Sequence, residues 1–256
     1  MNIFHAIILG IVEGITEFLP ISSTAHLVLA SDALNIAQTN FVKSFEIIIQ
    51  SGAILAVLVL YWQKFLDAQL FKRLIVAFVP AGVIGFALYQ VIKSTLIGNT
   101  QLTLWVLGLG GFAMILFEKY YFKNRAFQIT DLSQMSYATC LKIGIFQAFS
   151  VVPGVSRAAA TIVGGMALGV SRTVIVEFSF LLAVPTLIAA TVLDIFKNPD
   201  VFATGHFDVL AIGFVVSFVT AFFAIRWLLR YIKSHTFTAF GVYRIVIALL
   251  GAIILL

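Results

Sequence analysis

Two short segments of this chain combine acidic, hydroxyl, imidazole and guanidinium side chains within a strongly apolar sequence. The first runs from Glu13 to His26 (EGITEFLPISSTAH), and the second runs from Pro153 to Thr161 (PGVSRAAAT). An ionisable group in bilayer hydrocarbon costs roughly 2.5–3.5 kcal/mol on insertion scales, so it persists where it lines a wet cavity or meets a partner. We therefore expect the chemistry of this protein in these two segments.

The first segment holds two glutamates at helical spacing. Glu13 and Glu17 share one helix face, an arrangement of like charges that is unfavourable in water and worse when it is desolvated. A divalent cation, Mg²⁺ or Ca²⁺, would relieve the repulsion, and a substrate phosphate would complete its oxygen ligands. The alternative is that one glutamate is protonated or that both pair with Arg157.

A run of hydroxyl side chains at 22–24 follows Pro20 and opens a new half-helix, with His26 about one turn further on. A serine hydroxyl becomes a useful nucleophile when a base lies beside it, and for Ser23 either Glu17 or His26 could be that base. Hydroxyl groups at this position are also common helix caps, which is the structural alternative.

The second segment is suited to bind phosphate. Free backbone N–H groups at the start of a half-helix favour anions, and Gly154 permits close approach of the backbone. Arg157 can grip phosphate oxygens through paired donors, or it can neutralise a glutamate of the first segment, and the two roles are compatible. Glu46 and Gln50 could extend the polar lining, although Glu46 could simply complement a helix N-terminus.

The composition identifies a membrane protein, with 61% hydrophobic and 11% charged residues. Basic residues lie in short connections and form no single patch, so the net charge of +5 reflects membrane topology and not nucleic-acid binding. We expect no cleaved signal peptide, because Glu13 and Glu17 interrupt the first apolar run. Spanning helices are predicted at 45–62, 74–93, 102–118, 172–194, 208–226 and 238–256.

Two regions, 1–36 and 136–170, are too interrupted to be single spans, and each contains two apolar half-helices joined at a proline. Each is predicted to be a re-entrant helical hairpin covered by protein or water. The connections rich in lysine and arginine are predicted to be cytoplasmic: Lys64, Lys72 and Arg73; Lys119, Lys123 and Arg125; Arg226, Arg230 and Lys233. The connections near 94–101 and 195–207 then face outward. This threading puts both termini outside and brings the hairpins together tip to tip.

An internal repeat supports this geometry. The segment from Gly10 to Glu13 and the following PISS resemble the segment from Gly144 to Gln147 and the following PGVS. The predicted fold is an all-α polytopic membrane protein with an inverted-topology repeat, in one domain over 1–256 with halves of about 1–118 and 136–256. Such repeats place a binding site near the bilayer midplane, with half-helix N-termini facing anionic groups.

Taken together, these motifs resemble the membrane-integral undecaprenyl-pyrophosphate phosphatases of bacteria, also called the bacitracin-resistance family. The resemblance covers the whole chain. It is carried by the first segment, by FEIIIQ ending at Gln50, by PGVSR ending at Arg157 with Thr161, and by EFSFLLAVP ending at Pro185.

The resemblance implies hydrolysis of the C55 polyprenyl pyrophosphate to its monophosphate at the outer face of the cytoplasmic membrane, which recycles the lipid carrier of cell-wall synthesis. The family pattern places the acidic pair on Glu13 and Glu17, the nucleophile on Ser23 and the phosphate-binding arginine on Arg157, while the histidine falls on His26. It places the pocket lining on Ser22, Thr24, Ser156 and Thr161. The resemblance does not decide between serine and histidine as the attacking group, and direct attack by water is the fallback.

Three positions depart from the family pattern. The family commonly has glycine at Ala25, and serine and then glycine at Ala158 and Ala159, so we expect these departures to bear on efficiency or substrate range more than on identity. The expected partners are the polyprenyl pyrophosphate and membrane lipid, with a homodimer as an open alternative. A polyprenyl-phosphate flippase or another secondary transporter is the rival function, because transporters also use inverted repeats and midplane charges.

Overall fold

A computed structural model describes residues 1–96, 99–122, 127–199 and 207–255. Apart from a single bridge between Ile129 and Val170, the regular structure in these ranges is helical, which confirms the predicted all-α class. Of the predicted topology residues, Lys123 and Arg125 lie outside the described ranges, as does part of the connection near 195–207. The main helices are α1 (Ile3–Thr16), α2 (Ser23–Ala33), α3 (Asn40–Phe65), α4 (Ala68–Ala87), α5 (Thr100–Leu116), α6 (Tyr137–Ala148), α7 (Arg157–Ala167), α8 (Arg172–Lys197), α9 (Phe207–Tyr231) and α10 (Thr238–Leu255).

Six helices within the described ranges are long and apolar enough to cross a membrane, namely α3, α4, α5 with its continuation to Tyr120, α8, α9 and α10. A bilayer core of about 30 Å requires about 20 helical residues, and each of these helices meets or approaches that length. The chain is therefore a multi-pass membrane protein, as the composition predicts.

One predicted span is displaced. The sequence predicted a helix over 74–93, whereas α4 covers Ala68–Ala87 and so begins and ends six residues earlier. The Asp67 carboxylate caps the helix by accepting hydrogen bonds from the N–H groups of Gln69 and Leu70. Lys72 and Arg73 therefore lie in the first turns of α4 and not in the connection, because long basic side chains can reach the interface from within a helix.

The two regions predicted as hairpins each fold into a contacting pair of helices. Helix α1 packs against α2, and α6 packs against α7. A turn containing Pro20 joins the first pair, and a short 3₁₀ segment and a turn containing Pro153 join the second pair. The proline joints are thus confirmed, while entry of the pairs from opposite membrane faces stays a prediction.

The helix contacts have the symmetry expected of two related halves. For the most extensive contacts, when each helix of the pair is replaced by its counterpart in the other half, the result is another contacting pair. If α1–α5 correspond in order to α6–α10, the pair α1–α9 becomes α6–α4, and the pair α3–α9 becomes α8–α4. All four of these pairs are in contact. In the pairs α3–α8 and α5–α10, which are also in contact, each helix packs against its own counterpart. This pattern supports the predicted repeat and brings the two hairpins together between the spanning helices.

Glycines allow the first helix of each hairpin to lie close to a spanning helix. A Cβ atom at Gly14 of α1 would meet the Thr220 hydroxyl of α9 at 1.9 Å. A Cβ atom at Gly144 of α6 would meet the Ala77 carbonyl oxygen of α4 at 2.1 Å. These contacts fix the position of each hairpin, and with it the position of its polar turn.

Candidate active site

Both hairpin turns end in a serine with left-handed backbone geometry. Ser22 has φ 71° and Ser156 has φ 72°, and each hydroxyl accepts a hydrogen bond from the N–H group three residues further on, at Ala25 and Ala159 respectively. Positive φ is uncommon outside glycine, and such strained residues cluster at functional sites. The capping role considered for Ser22 is thus present, and it leaves the hydroxyl of Ser23 for other contacts.

Ser23 and Glu17 are joined directly. The Ser23 hydroxyl donates a hydrogen bond of 2.5 Å to Glu17 Oε2, and both residues are buried. The turn places them together because Glu17 ends the first helix of the hairpin and Ser23 begins the second. When a hydroxyl donates a hydrogen bond to a carboxylate, the carboxylate can take the proton as the hydroxyl oxygen attacks an electrophile.

Arg157 brings the second turn to the same carboxylate. Its Nη2 donates a hydrogen bond of 3.4 Å to Glu17 Oε1, and its Nη1 donates one of 2.8 Å to the Ser179 carbonyl oxygen. The guanidinium also lies 5.8 Å from the ring centre of Phe18. Its Nε is buried without a hydrogen-bond partner. Arg157 thus pairs with a glutamate of the other hairpin and keeps donor capacity for a ligand.

Glu13 is fully buried, and neither of its carboxylate oxygens has a hydrogen-bond partner. A buried charge without a partner is costly, so this carboxyl group calls for a proton or a cation. Among the described residues, no group of three or more histidine, cysteine, aspartate or glutamate side chains is arranged to hold a metal. Glu13 and Glu17 fit Mg²⁺ or Ca²⁺ as a partial oxygen site, to which substrate phosphate and water would add ligands.

A cavity of about 430 Å³ opens beside these groups. Its lining combines polar side chains with apolar ones, which include Phe78, Phe86 and Leu193. The predicted site residues that line it are Glu17, Ser22, Ser23, Thr24, Gln50, Gly154, Ser156 and Arg157. Residues from both hairpins therefore meet at one cavity, next to an apolar wall.

Three predicted site residues lie behind the cavity wall. Glu13 is one of them, and Thr161 is another, with its hydroxyl 2.7 Å from that of Ser179. The third is His26, whose Nδ1 lies 2.8 Å from the Ser22 carbonyl oxygen and whose Nε2 lies 2.9 Å from the Tyr243 hydroxyl. Because a carbonyl oxygen only accepts, Nδ1 carries the proton and Nε2 accepts from Tyr243.

Glu46 is also placed at the cavity, where its Oε1 accepts from the Ser31 hydroxyl at 3.1 Å and from Gln38 Nε2 at 3.4 Å. Residues that the sequence reasoning did not select include Lys43 and Tyr89 in the cavity wall. Lys43 lies close in sequence to the FEIIIQ motif, so its position could have been found from that motif.

The most informative residue that the sequence motifs did not indicate is Arg244 of α10, which is fully buried. An arginine in the middle of the predicted span 238–256 is the signal that could have found it, because charges inside spanning helices are rare and usually functional. Its neighbour Tyr243 contacts His26 and was also not selected.

Known proteins resemble this chain over almost its entire length. The family described as bacitracin resistance protein BacA matches residues 6–250. An undecaprenyl-diphosphatase of Sulfurihydrogenibium sp. (strain YO3AOP1) is 49% identical over 250 residues, which cover 98% of each chain. An undecaprenyl-diphosphatase of Aquifex aeolicus (strain VF5) is 48% identical over 253 residues, again with 98% of each chain covered. The resemblance drawn from the motifs is confirmed, and the chain belongs to the bacitracin resistance protein BacA family.

Proposed function

We propose that this protein is an undecaprenyl-diphosphatase, which hydrolyses the C55 polyprenyl pyrophosphate to its monophosphate and inorganic phosphate. Membership of the family and the names of the close relatives support this function. The observation that carries it is the contact of Ser23 with Glu17, whose second oxygen accepts from Arg157. The activity would recycle the lipid carrier of cell-wall synthesis and confer resistance to bacitracin.

The first chemical step assigns one role to each of these three residues. The Ser23 oxygen attacks the terminal phosphorus, its proton passes to Glu17 Oε2, and the bond between that phosphorus and the bridging oxygen breaks. The prenyl monophosphate leaves, and the phosphoryl group stays on Ser23. Glu17 is the preferred base because it already accepts the hydroxyl proton, whereas His26 Nε2 is occupied by Tyr243.

Binding of the pyrophosphate relies on positive charge and on N–H groups. Arg157 lines the cavity, and the first N–H groups of α2 and α7 begin at the two strained serines beside it. Phosphoryl transfer depends mainly on such positioning and on charge stabilisation. Glu13 and Glu17 would hold the divalent cation, which when bound would offset the charge of the phosphate oxygens.

Between the steps, Glu17 gives its proton to the departing prenyl monophosphate. In the second step, water attacks the phosphorus on Ser23 while Glu17 takes a proton from that water, and the bond between the serine oxygen and phosphorus breaks. Glu17 returns this proton to the serine oxygen, and inorganic phosphate leaves, which restores the starting state. Direct attack of an activated water on the pyrophosphate is the alternative route, in which Glu17 serves as base and Ser23 only orients the substrate.

The prenyl chain would lie along the apolar part of the cavity wall that α4 and α8 provide. Phe78 and Phe86 of α4 and Leu187 and Leu193 of α8 line the cavity. We place the enzyme in the bacterial cytoplasmic membrane, with the site open to the outer face, because the basic connections are expected on the cytoplasmic side.

The test is phosphate release from C55 polyprenyl pyrophosphate by the detergent-purified protein, with Mg²⁺, with Ca²⁺ and with a chelator. We expect cation-dependent release that is lost in Ser23→Ala and in Arg157→Ala. A folded wild type that binds the lipid but releases no phosphate would contradict hydrolysis and favour the flippase. Release that continues in Ser23→Ala would instead favour direct attack by water.

A further inference from the structure

Arg244 of α10 is buried without an acidic partner. Its side chain is fully enclosed, and the ion pairs found among the described residues join Lys64 to Glu177, Arg157 to Glu17 and Arg172 to Glu118. Burial of an unpaired cation is expensive unless hydrogen bonds compensate for it. The partners of Arg244 therefore indicate why the chain retains it.

These partners are four carbonyl oxygens. Nε donates to Leu107 of α5 at 3.2 Å, and Nη2 donates to Gly154 at 2.8 Å. Nη1 donates to Pro20 at 3.2 Å and to Val155 at 3.1 Å. Pro20 lies two residues before the capping serine of the first turn, and Gly154 lies two residues before that of the second turn. One guanidinium thus binds, in both turns, the carbonyl that lies two residues before the capping serine.

These bonds also orient the groups that face the cavity. In a trans peptide the C=O and N–H bonds point in opposite directions. Because the Val155 carbonyl points to Arg244, the N–H of Ser156 points away from Arg244, and Ser156 is among the residues that line the cavity. The bond to Arg244 therefore holds a donor of the second turn in position for an anion.

The neighbouring residue Tyr243 supports the first turn in a similar way. Its hydroxyl contacts His26 Nε2, and His26 Nδ1 donates to the carbonyl oxygen of Ser22. The Tyr243 and His26 rings are stacked, with centres 5.5 Å apart. By the same geometry, this carbonyl bond orients the N–H of Ser23 away from His26.

We propose that Arg244 is a positioning residue that holds the two turns in register, so that Ser23 and Arg157 meet at one phosphate, and that Tyr243 and His26 assist it at the first turn. Its catalytic consequence rests on the proposed function. Arg244 does not line the cavity, so it acts through the turns and does not touch the substrate.

Two kinds of variant test this role in the full-length, detergent-purified protein. Arg244→Met removes the donors, while Arg244→Lys keeps the charge but cannot reach both turns with one ammonium group. Gly110→Ala keeps Arg244 and displaces it, because the new Cβ atom would lie 2.2 Å from Nη2. Gly108→Ala is the matched control on the same helix, since its Cβ atom meets only the Ala248 methyl group at 3.3 Å.

Two readouts are measured together. The first is kcat and KM for phosphate release from C55 polyprenyl pyrophosphate, and the second is amide hydrogen exchange of peptides covering 17–25 and 152–160. We expect Arg244→Met to lower kcat by about 10²-fold, the cost of a misplacement of about 1 Å, with little change in KM. Arg244→Lys and Gly110→Ala should lower kcat in the same direction, and Gly108→Ala should not. Exchange should rise in both turns and remain unchanged elsewhere.

Three results would overturn the proposal. They are an unchanged kcat in Arg244→Met and Gly110→Ala, exchange that rises in only one turn, and exchange that rises throughout the chain. The last result would show that Arg244 merely stabilises the fold. If the wild type releases no phosphate, the proposed function fails, but the exchange measurement still tests whether Arg244 joins the turns.

Discussion

Glu17 connects the two halves of the site at the level of single residues. One of its oxygens accepts from Ser23 of its own hairpin, and the other accepts from Arg157 of the second hairpin. A carboxylate in this position can accept the serine proton through one oxygen while the other oxygen keeps its contact with the guanidinium. Its removal should therefore affect both proton transfer and the orientation of Arg157.

We expect Glu17→Gln to lower kcat by about 10²–10⁴-fold, the usual contribution of a general base. The matched control is Glu46→Gln, which removes a carboxylate from the same cavity without a contact to Ser23. Steady-state kinetics of phosphate release would distinguish the two variants. Equal losses in both would argue that the cavity needs only negative charge.

Glu13→Gln tests the cation site. The substitution keeps the size of the buried side chain but removes the charge that lacks a partner. We expect the Mg²⁺ concentration for half-maximal activity to rise by at least about tenfold, because even outer-shell changes cost 10–100-fold in metal affinity. A titration of activity with Mg²⁺ measures this shift. An unchanged midpoint would mean that Glu13 is held by a proton instead.

His26→Ala separates positioning from proton transfer. Because Nε2 is bound to Tyr243 and Nδ1 to the Ser22 carbonyl, we expect a fall in kcat of about tenfold, smaller than that of a lost general base. The shape of the pH profile of kcat/KM should not change. Loss of one limb of that profile would identify His26 as the base and contradict the role given to Glu17.

At this scale the sequence predicts which residues meet but not all of their roles. Helical spacing and the two proline joints correctly bring Glu17, Ser23 and Arg157 together. The distinction between Glu17 and His26 depends on which side of α2 packs against α10, and this is a long-range contact that local spacing does not encode. The motifs did not indicate Arg244 either, because its hydrogen-bond partners lie on three other segments of the chain.

The arrangement of the helices depends on glycine residues that allow two helices to lie close together. Gly14 allows α1 to approach α9 so closely that any side chain would meet the backbone and the Thr220 hydroxyl. Overpacking of this kind typically costs 1–3 kcal/mol. The position of the first turn relative to the spanning helices is thus set by a residue outside the cavity.

We therefore expect Gly14→Ala to lower the melting temperature in detergent, because α1 must move away from α9. Gly85→Ala is the control, since no atom lies within 4 Å of the new Cβ position there. Thermal unfolding followed by circular dichroism compares the two variants. A melting temperature in Gly14→Ala as high as that in Gly85→Ala would show that the helices can separate without cost.

Hydrophobic length and proline position are sufficient to predict most elements here, since five of the six spans lie where the sequence places them. The exception is α4, whose start is set by the Asp67 cap and not by the last basic residue. A charge count treats lysine and arginine as boundaries, whereas their long side chains allow a helix to continue past them.

For the whole molecule, the predicted inverted topology implies which connections lie on each side of the membrane. Residue 66 lies between α3 and α4 in a connection expected on the cytoplasmic side, and residue 99 lies before α5 in one expected outside. In a Cys140→Ser background, a membrane-impermeant maleimide added to intact cells should label Asn99→Cys and not Leu66→Cys. Both cysteines should react after the membrane is permeabilised. The reverse pattern would contradict the threading of the six spans.

The hydrogen bonds from Arg244 of α10 to both turns also have a consequence for biosynthesis. Pro20 is translated 224 residues before its partner Arg244. The two turns can therefore be in the membrane, and even beside each other, well before the residue that fastens them has left the ribosome. We expect a nascent chain stalled before α10 to be inserted but inactive, which would delay the onset of activity until α10 has been synthesised.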